Sequence, residues 1–347
     1  MSNPSPILVR GIGAVSPAGW GVPALREALQ RNEPLPPQPL ARPGWNRPLI
    51  VRPVPPPTAR PAFFSNARFR RVSPISQFAV AAALEALGNH VTPTTPARDS
   101  DPDRLGIIFC VMDGCVNYSR RFYDETLKDA ATASPLVFPE TVFNAPASHL
   151  AALLGIRAIN YTLVGDPGVF LQGLAMAANW IDDGTVDSCL VVGAEEKDWL
   201  TADAARLFYS QMILGEGGGA VLLEQGKFDS TGVHLQAVTD SFLFVAGQTR
   251  LDAARKMREQ LSGSAKDGLL CSSEQNLAGY DDAERSCWRD WSGSRLAPKT
   301  ILGEGLVAAA AWQCVAAIDA LQNGACASAT VSVVGTNQQA IGARFSV

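Results

Sequence analysis

The sequence predicts an α/β fold of layered sheets and helices, and three observations carry that prediction. Apolar runs of strand length alternate with helix-length stretches along most of the 347 residues. Glycine, proline and polar clusters punctuate the changes between them. Apolar residues make up 47% and charged residues 18%, the balance of a chain that buries one large core or two closely packed halves.

Taken in order, residues 7–15 (ILVRGIGAV) form a short buried strand running into a glycine turn. Residues 34–61 are rich in proline, including Pro55, Pro56 and Pro57, and support neither a helix nor a central strand, so they make a surface excursion. Residues 73–87 form a helix with Ser73 as its cap and Pro74 at its first position. A loop over 89–103 leads to a strand at 105–111. The same grammar recurs: strand 159–164, helix 168–182, strand 188–193, and a short strand at 220–224 that leads to Gly226. After a polar middle region, residues 305–321 form an alanine-rich helix that is apolar nearly all round and therefore buried. Residues 330–334 close the pattern as a strand. A division near 226 separates two halves, 1–225 and 226–347.

Composition excludes several classes of function. A formal charge of −4 offers no basic face for nucleic acid or an anionic membrane. No run of about 18 apolar residues marks a membrane span, and Met1 to Pro6 lack the features of a signal peptide, so a cytoplasmic location is expected. The cysteines (Cys110, Cys115, Cys189, Cys271, Cys287, Cys314, Cys326) are odd in number and without CxxC spacing, which fits neither a disulfide framework nor a zinc site. His90, His149 and His234 lie far apart, and no metal or other cofactor is expected. Gly11 and Gly13 after the first strand could open a dinucleotide-binding turn, but the third position is Ser16 and Pro17 disrupts the helix that should follow. Gly217 to Gly219 lack the Gly-Lys-Ser/Thr of a phosphate loop, and close backbone packing explains them better.

Several short passages together resemble the β-ketoacyl synthases of the thiolase fold. Residues 9–17 (VRGIGAVSP) are similar to that family's opening V-T-G-x-G-x-V-S-P. Asn160, Tyr161 and Thr162 stand where it has N-Y-T/S, residues 193–196 (GAEE) resemble G-G-A-E-E, and residues 215–219 (GEGGG) resemble G-E-G-A-G. Gly335, Thr336 and Asn337 resemble its terminal G-G-T-N. Order and spacing over nearly the whole chain give the likeness its force. It implies a layered α-β-α-β-α arrangement built from two similar halves.

The resemblance also locates the positions that carry the family's chemistry, and this chain has changed them. Family members attack an acyl thioester with a cysteine at a helix start, where the helix dipole favours the thiolate. Counting from Asn160 places Pro167 there. Proline has no nucleophile, and it also lacks the N–H that helps hold the oxyanion, a loss that costs about 10²–10³ in rate by itself. Asp166 and Pro167 read instead as an ordinary helix start, with Asp166 as cap and Pro167 first in the helix. Residues 273–284 align with H-G-T-G-T-P-L-G-D-P-I-E through Asp281 and Glu284, so Ser273 replaces the first histidine. Residues 299–304 align with K-S-x-x-G-H, so Glu304 replaces the second while Lys299 remains. Glu304 is either a displaced general acid or base, or the ion-pair partner of Lys299, which is the simpler reading. Cys271 and Ser272 lie beside the first of these positions without a histidine to activate them. Val333 aligns with the gating phenylalanine of G-F-G-G-T-N, and His149 with a structural histidine.

No catalytic residue for condensation is therefore expected. The resemblance implies instead a chain-length-factor-like subunit, inactive by itself, in polyketide, polyene or fatty-acid-type biosynthesis. Its partners would be an active β-ketoacyl synthase, as a heterodimer, and an acyl carrier protein. Residues 134–144 (SPLVFPETVFN) resemble the family's dimer-facing S-P-F-F-x-P segment, which makes Phe138 and Phe143 either limits of tunnel depth or ordinary core residues. Two alternatives stay open: an enzyme of altered thioester chemistry acting through Glu304, Ser273 or Cys271, and a homodimeric protein that binds an acyl chain or carrier protein.

Overall fold

A computed structural model describes residues 6–88, 103–226, 231–244, 249–261, 268–336 and 338–347. Nearly all of the loop expected at 89–103, together with Asn337 of the terminal motif, lies outside the described residues.

The strands are β1 (Ile7–Ser16), β2 (Gly19–Trp20), β3 (Gln38–Leu40), β4 (Leu49–Arg52), β5 (Leu105–Val111), β6 (Asn160–Val164), β7 (Ser188–Glu195), β8 (Leu214–Gly215), β9 (Gly217–Gln225), β10 (His234–Val238), β11 (Phe242–Leu243), β12 (Leu269–Cys271), β13 (Arg295–Leu296), β14 (Ser328–Val334) and β15 (Gln339–Ser346). The α-helices are α1 (Val22–Arg31), α2 (Pro74–Leu87), α3 (Val116–Lys128), α4 (Ala145–Leu154), α5 (Val169–Asp182), α6 (Trp199–Phe208), α7 (Arg250–Gln260), α8 (Asp282–Cys287), α9 (Pro298–Leu302) and α10 (Val307–Gln322).

One continuous sheet runs in the order β13, β12, β14, β15, β10, β1, β9, β7, β5, β6. Numbered in chain order within each five, both β1-β5-β6-β7-β9 and β10-β12-β13-β14-β15 are laid out 3-2-4-5-1. The senses match as well: the first three strands from each far edge are parallel and the last two pairings antiparallel. The two fives meet where β1 pairs β10, with Ile7 opposite Leu235. This is the repeat of similar halves that the sequence led one to expect.

Helices α5 and α10 lie between the two halves of the sheet and form the central core. Alanines along α10 let both sheet faces approach closely, and the Trp312 indole N–H donates to the carbonyls of Val15 and Gly218 at 2.9 and 3.1 Å. Helices α2 and α4 cover one outer face through a cluster with Phe63, Phe69 and Phe109, while α7 and α8 cover the other through Met257, Trp288 and Trp291. The layers are therefore α-β-α-β-α. Gly11 and Gly13 are glycines because α2 crosses β1 there: an added Cβ would stand 1.9 Å from the Ala86 oxygen and 2.0 Å from that of Ala82. Close packing, rather than a nucleotide, explains that motif.

Two local expectations change. The proline-rich excursion contains β3 and β4, of which β4 pairs with both β3 and β8 in a small sheet, with Leu49 and Val51 alternating inward while Ile50 faces out. Ser73 precedes α2 and Pro74 opens it, but the cap is Glu196, which accepts from the Ser73 hydroxyl and, at 2.9 Å, from the Ile75 N–H.

Candidate functional site

Helix α5 begins at Val169, later than expected, after a tight turn closed by the Val169 N–H on the Asp166 carbonyl at 2.8 Å. Asp166 does not cap it. Its carboxylate reaches across to the turn between β14 and β15 and accepts from the N–H groups of Gln338 and Gln339, each at 3.3 Å. Arg250 holds the other side of that turn, donating to the carbonyls of Gly335 at 3.0 Å and Thr336 at 2.5 Å. Amides are gripped by an anion and carbonyls by a cation. Pro167 is buried, and at Gly168 an added Cβ would stand 2.5 Å from Ile341 Cγ2, so β15 packs directly against the helix tip.

Ser273 follows β12 and is buried. Its hydroxyl donates to Glu284 at 2.6 Å and accepts from the Val334 N–H at 3.0 Å, while its own N–H donates to Glu284 at 3.1 Å. Burial pushes the Glu284 carboxyl up to about 7, against the opposing hydroxyls of Ser273 and Ser332. Asp281 holds the far end of the same loop, accepting from the N–H groups of Gln275 and Leu277 at 3.1 and 2.9 Å. The two residues that anchored the alignment thus hold this loop at both ends. Val333 is fully buried in β14 within the central core, beside the Val334 amide that Ser273 accepts.

Glu304 lies between α9 and α10 and is paired with Lys299 at 2.8 Å, both side chains fully buried. Its carboxylate also accepts from Gln275 at 3.2 Å and from the Leu306 N–H at 2.7 Å. Burial works to lower the Lys299 ammonium, but Glu304 and then Tyr280 outweigh it and hold it above the usual lysine value. Leu306 sits at φ 52, an uncommon backbone for a leucine, steadied by that bond. Asp166, beside Pro167, and Ser273 therefore both bond to the 334–339 segment, while Gln275 ties Glu304 to the loop that follows Ser273.

Phe138 and Phe143 lie elsewhere and are exposed, at 55% and 44%. Phe138 packs on Phe122 with centroids 5.4 Å apart, and Phe143 lies over Gly114. Core packing is thus not what places them. His149 is buried in α4 and pairs through Nε2 with Glu140 at 2.8 Å. Cys271 is fully buried, which drives its thiol well up and disfavours the thiolate.

A second ionic cluster escaped the sequence reading. Lys197, just past β7, pairs with Asp113 at 3.1 Å, and Glu195 accepts from the N–H groups of Met112 and Asp113 at 2.6 and 3.2 Å. Burial, and then the Asp113 charge, push Glu195 up to about 8. The sequence signals were the run of charges after an apolar strand and the GAEE motif that contains Glu195. Beside this cluster, a pocket of about 170 Å³ is bordered by Met112, Asp113, Thr201, Phe208, Leu306 and Thr336. Among the described residues, no group of three or more His, Cys, Asp or Glu is placed to hold a metal ion, and no helix is long and apolar enough to cross a membrane.

Known proteins share the fold. The family model for 3-oxoacyl-[acyl-carrier-protein] synthase III matches residues 168–241. The chain is 31% identical over 134 residues to β-ketoacyl-[acyl-carrier-protein] synthase III 5 of Streptomyces coelicolor, and 34% identical over 98 residues to synthase III 2 of that organism. These matches span 36% and 28% of this chain, and 40% and 29% of the relatives' own lengths. Solved structures agree over nearly the whole chain. The ishigamide ketosynthase/chain length factor superposes with a TM-score of 0.84 at 18% identity, covering 99% of both chains. A β-ketoacyl synthase from Burkholderia phymatum gives 0.82 at 16%, also over 99% of both. A ketosynthase in complex with its chain length factor from Xenorhabdus doucetiae gives 0.78 at 14%, over 100% of both. At such identities these structures speak for the fold, and they agree on one conclusion: the chain has the layered fold of the ketosynthases, and over part of its length its sequence is similar to the synthases III.

Proposed function

We infer that this chain is a non-catalytic ketosynthase-like subunit, resembling a chain-length factor, that pairs with an active β-ketoacyl synthase and contributes surface to its acyl tunnel. The observation that carries this reading is Pro167 at the tip of α5, buried and flanked by Gly168, which packs on β15, and by an aspartate already engaged with the 338–339 amides. Neither sulfur nor imidazole is available at that position.

The molecular surface supports a partner. Strand β6 is an edge of the large sheet, with Tyr161 and Val164 each about half exposed. Leu136, Phe138, Val142 and Phe143 add further exposed apolar side chains. An acidic carrier protein would find Arg68, Arg70 and Arg71 exposed just before α2 on an otherwise acidic chain. Residues 1–225 and 226–347 serve in this reading as the two halves of the repeat, and the cytoplasm is its expected place.

The altered-chemistry reading has less support, because Glu304 is engaged by Lys299 and the Ser273 hydroxyl by Glu284. The test is co-expression with an intact ketosynthase that carries cysteine and two histidines. Co-purification as a one-to-one complex, with product length altered by Phe138→Ala, is the expected result. A stable homodimer that ignores every such synthase would overturn the proposal.

A further inference from the structure

Beside the turn from β2 into α1 lies a cavity of about 350 Å³, bordered by Trp20, Gly21, Phe63, Ala81, Leu84 and Glu85. It shares no lining residue with the pocket next to the Lys197 cluster. Trp20 is a fixed wall. Its indole N–H donates to the Pro55 carbonyl at 2.8 Å, and its ring meets Phe64 and Phe78 edge-on, with centroids 6.4 and 6.1 Å away. Phe63 is buried and packs on Phe64 and Phe69. These walls offer apolar surface that is in place before any guest arrives.

The ionisable side chain on the border is Glu85 of α2. Its carboxylate accepts the Ala14 N–H at 2.8 Å on one oxygen and the Val22 N–H at 2.7 Å on the other. Those bonds tie β1 and the start of α1 to α2, and they use about half of the roughly four lone-pair sites that a carboxylate presents. Gly21 leaves one oxygen uncovered, since a Cβ there would stand 3.2 Å from Glu85 Oε1. Among the described residues no lysine or arginine pairs with Glu85, and Asp319, which bears on it, has the same sign. Arg26 is already committed to Asp319 through two bonds, at 2.7 and 2.5 Å. Burial holds the Glu85 carboxyl above its usual range against the pull of the two N–H groups, and Asp319 adds to the rise. A cationic guest would answer this charge, whereas an anionic one would be repelled.

We propose that this cavity binds a small organic ammonium ion, its amine on Glu85 and its apolar body against Trp20 and Phe63. This does not depend on the pairing with a synthase. The probes are phenethylamine and two relatives of similar shape, phenethyl alcohol and phenylpropanoate, titrated into the full chain by calorimetry at mildly alkaline pH. The amine should bind saturably, one to one, with the alcohol roughly tenfold or more weaker and the carboxylate not bound. Ala81→Phe places a ring in the cavity while keeping Glu85, and should remove amine binding. Glu85→Gln should bring the amine down to the level of the alcohol. Melting curves check that each variant folds, and the comparison of the three probes on the parent chain stands without them. No saturable binding of the amine, equal affinity for amine and alcohol, or undiminished binding by folded Ala81→Phe would overturn the proposal.

Discussion

Asp166 and Gln339 hold each other twice, the carboxylate accepting the Gln339 N–H at 3.3 Å while the Gln339 side-chain amide donates to the Asp166 carbonyl at 3.4 Å. The partners stand 173 residues apart and belong to opposite halves of the repeat. The tip of α5 is thereby fastened to β15.

Returning sulfur alone should not return chemistry. In Pro167→Cys, the new thiol would be buried, with the Asp166 carboxylate next in sequence and no histidine adjoining it in the chain. No condensing activity is expected with an acyl carrier substrate and a malonyl donor, measured by mass spectrometry of the products.

The Lys299–Glu304 pair should behave as a structural unit. Glu304→Gln leaves a buried ammonium short of its counter-charge and should cost about 3–5 kcal/mol in urea unfolding. Adding Lys299→Met should recover much of that loss, since it removes the stranded charge. Equal instability of the single and double variants would contradict the pairing.

Stability should fall as pH rises through the neutral range. Glu284 and Glu195 bind their protons more tightly in the folded chain, at about 7 and about 8, than at the ordinary carboxylate value of 4.5. Their contribution is complete below about 4.5 and disappears as pH climbs through the folded values. Urea unfolding at several pH values between 5 and 8.5, compared with Glu284→Gln, should show a flatter slope for the variant, by up to about 3 kcal/mol across the range.

Tyr161 tests the proposed pairing edge. It is half exposed on β6 and meets Trp180 edge-on with centroids 5.5 Å apart. Tyr161→Arg should abolish co-sedimentation with a partner synthase while lowering the melting temperature by only a few degrees.

The layered fold was legible because its inner elements write their burial into the chain: α10 is apolar all round, and β5 is apolar throughout its length. Elements on the surface were harder to see. Helix α3 has no buried residue and was not foreseen from the sequence. At the site, Asp281 and Glu284 both bond to the loop they flank, and the pairing of Glu304 with Lys299 followed from their nearness in sequence. The true partners of Asp166 could not be foreseen, because helix-capping preference is local while the exposed amides of the β14–β15 turn come from the other half. The Asp113–Lys197–Glu195 cluster was hidden for a similar reason, since β5 and β7 bring together residues more than 80 positions apart.

The most direct measurement is intact-protein mass spectrometry of the isolated chain after incubation with an acyl-carrier thioester. The mass should remain that of the unmodified polypeptide, while a synthase treated alongside gains the acyl group. A stoichiometric acyl adduct on this chain alone would contradict the assignment of a silent subunit.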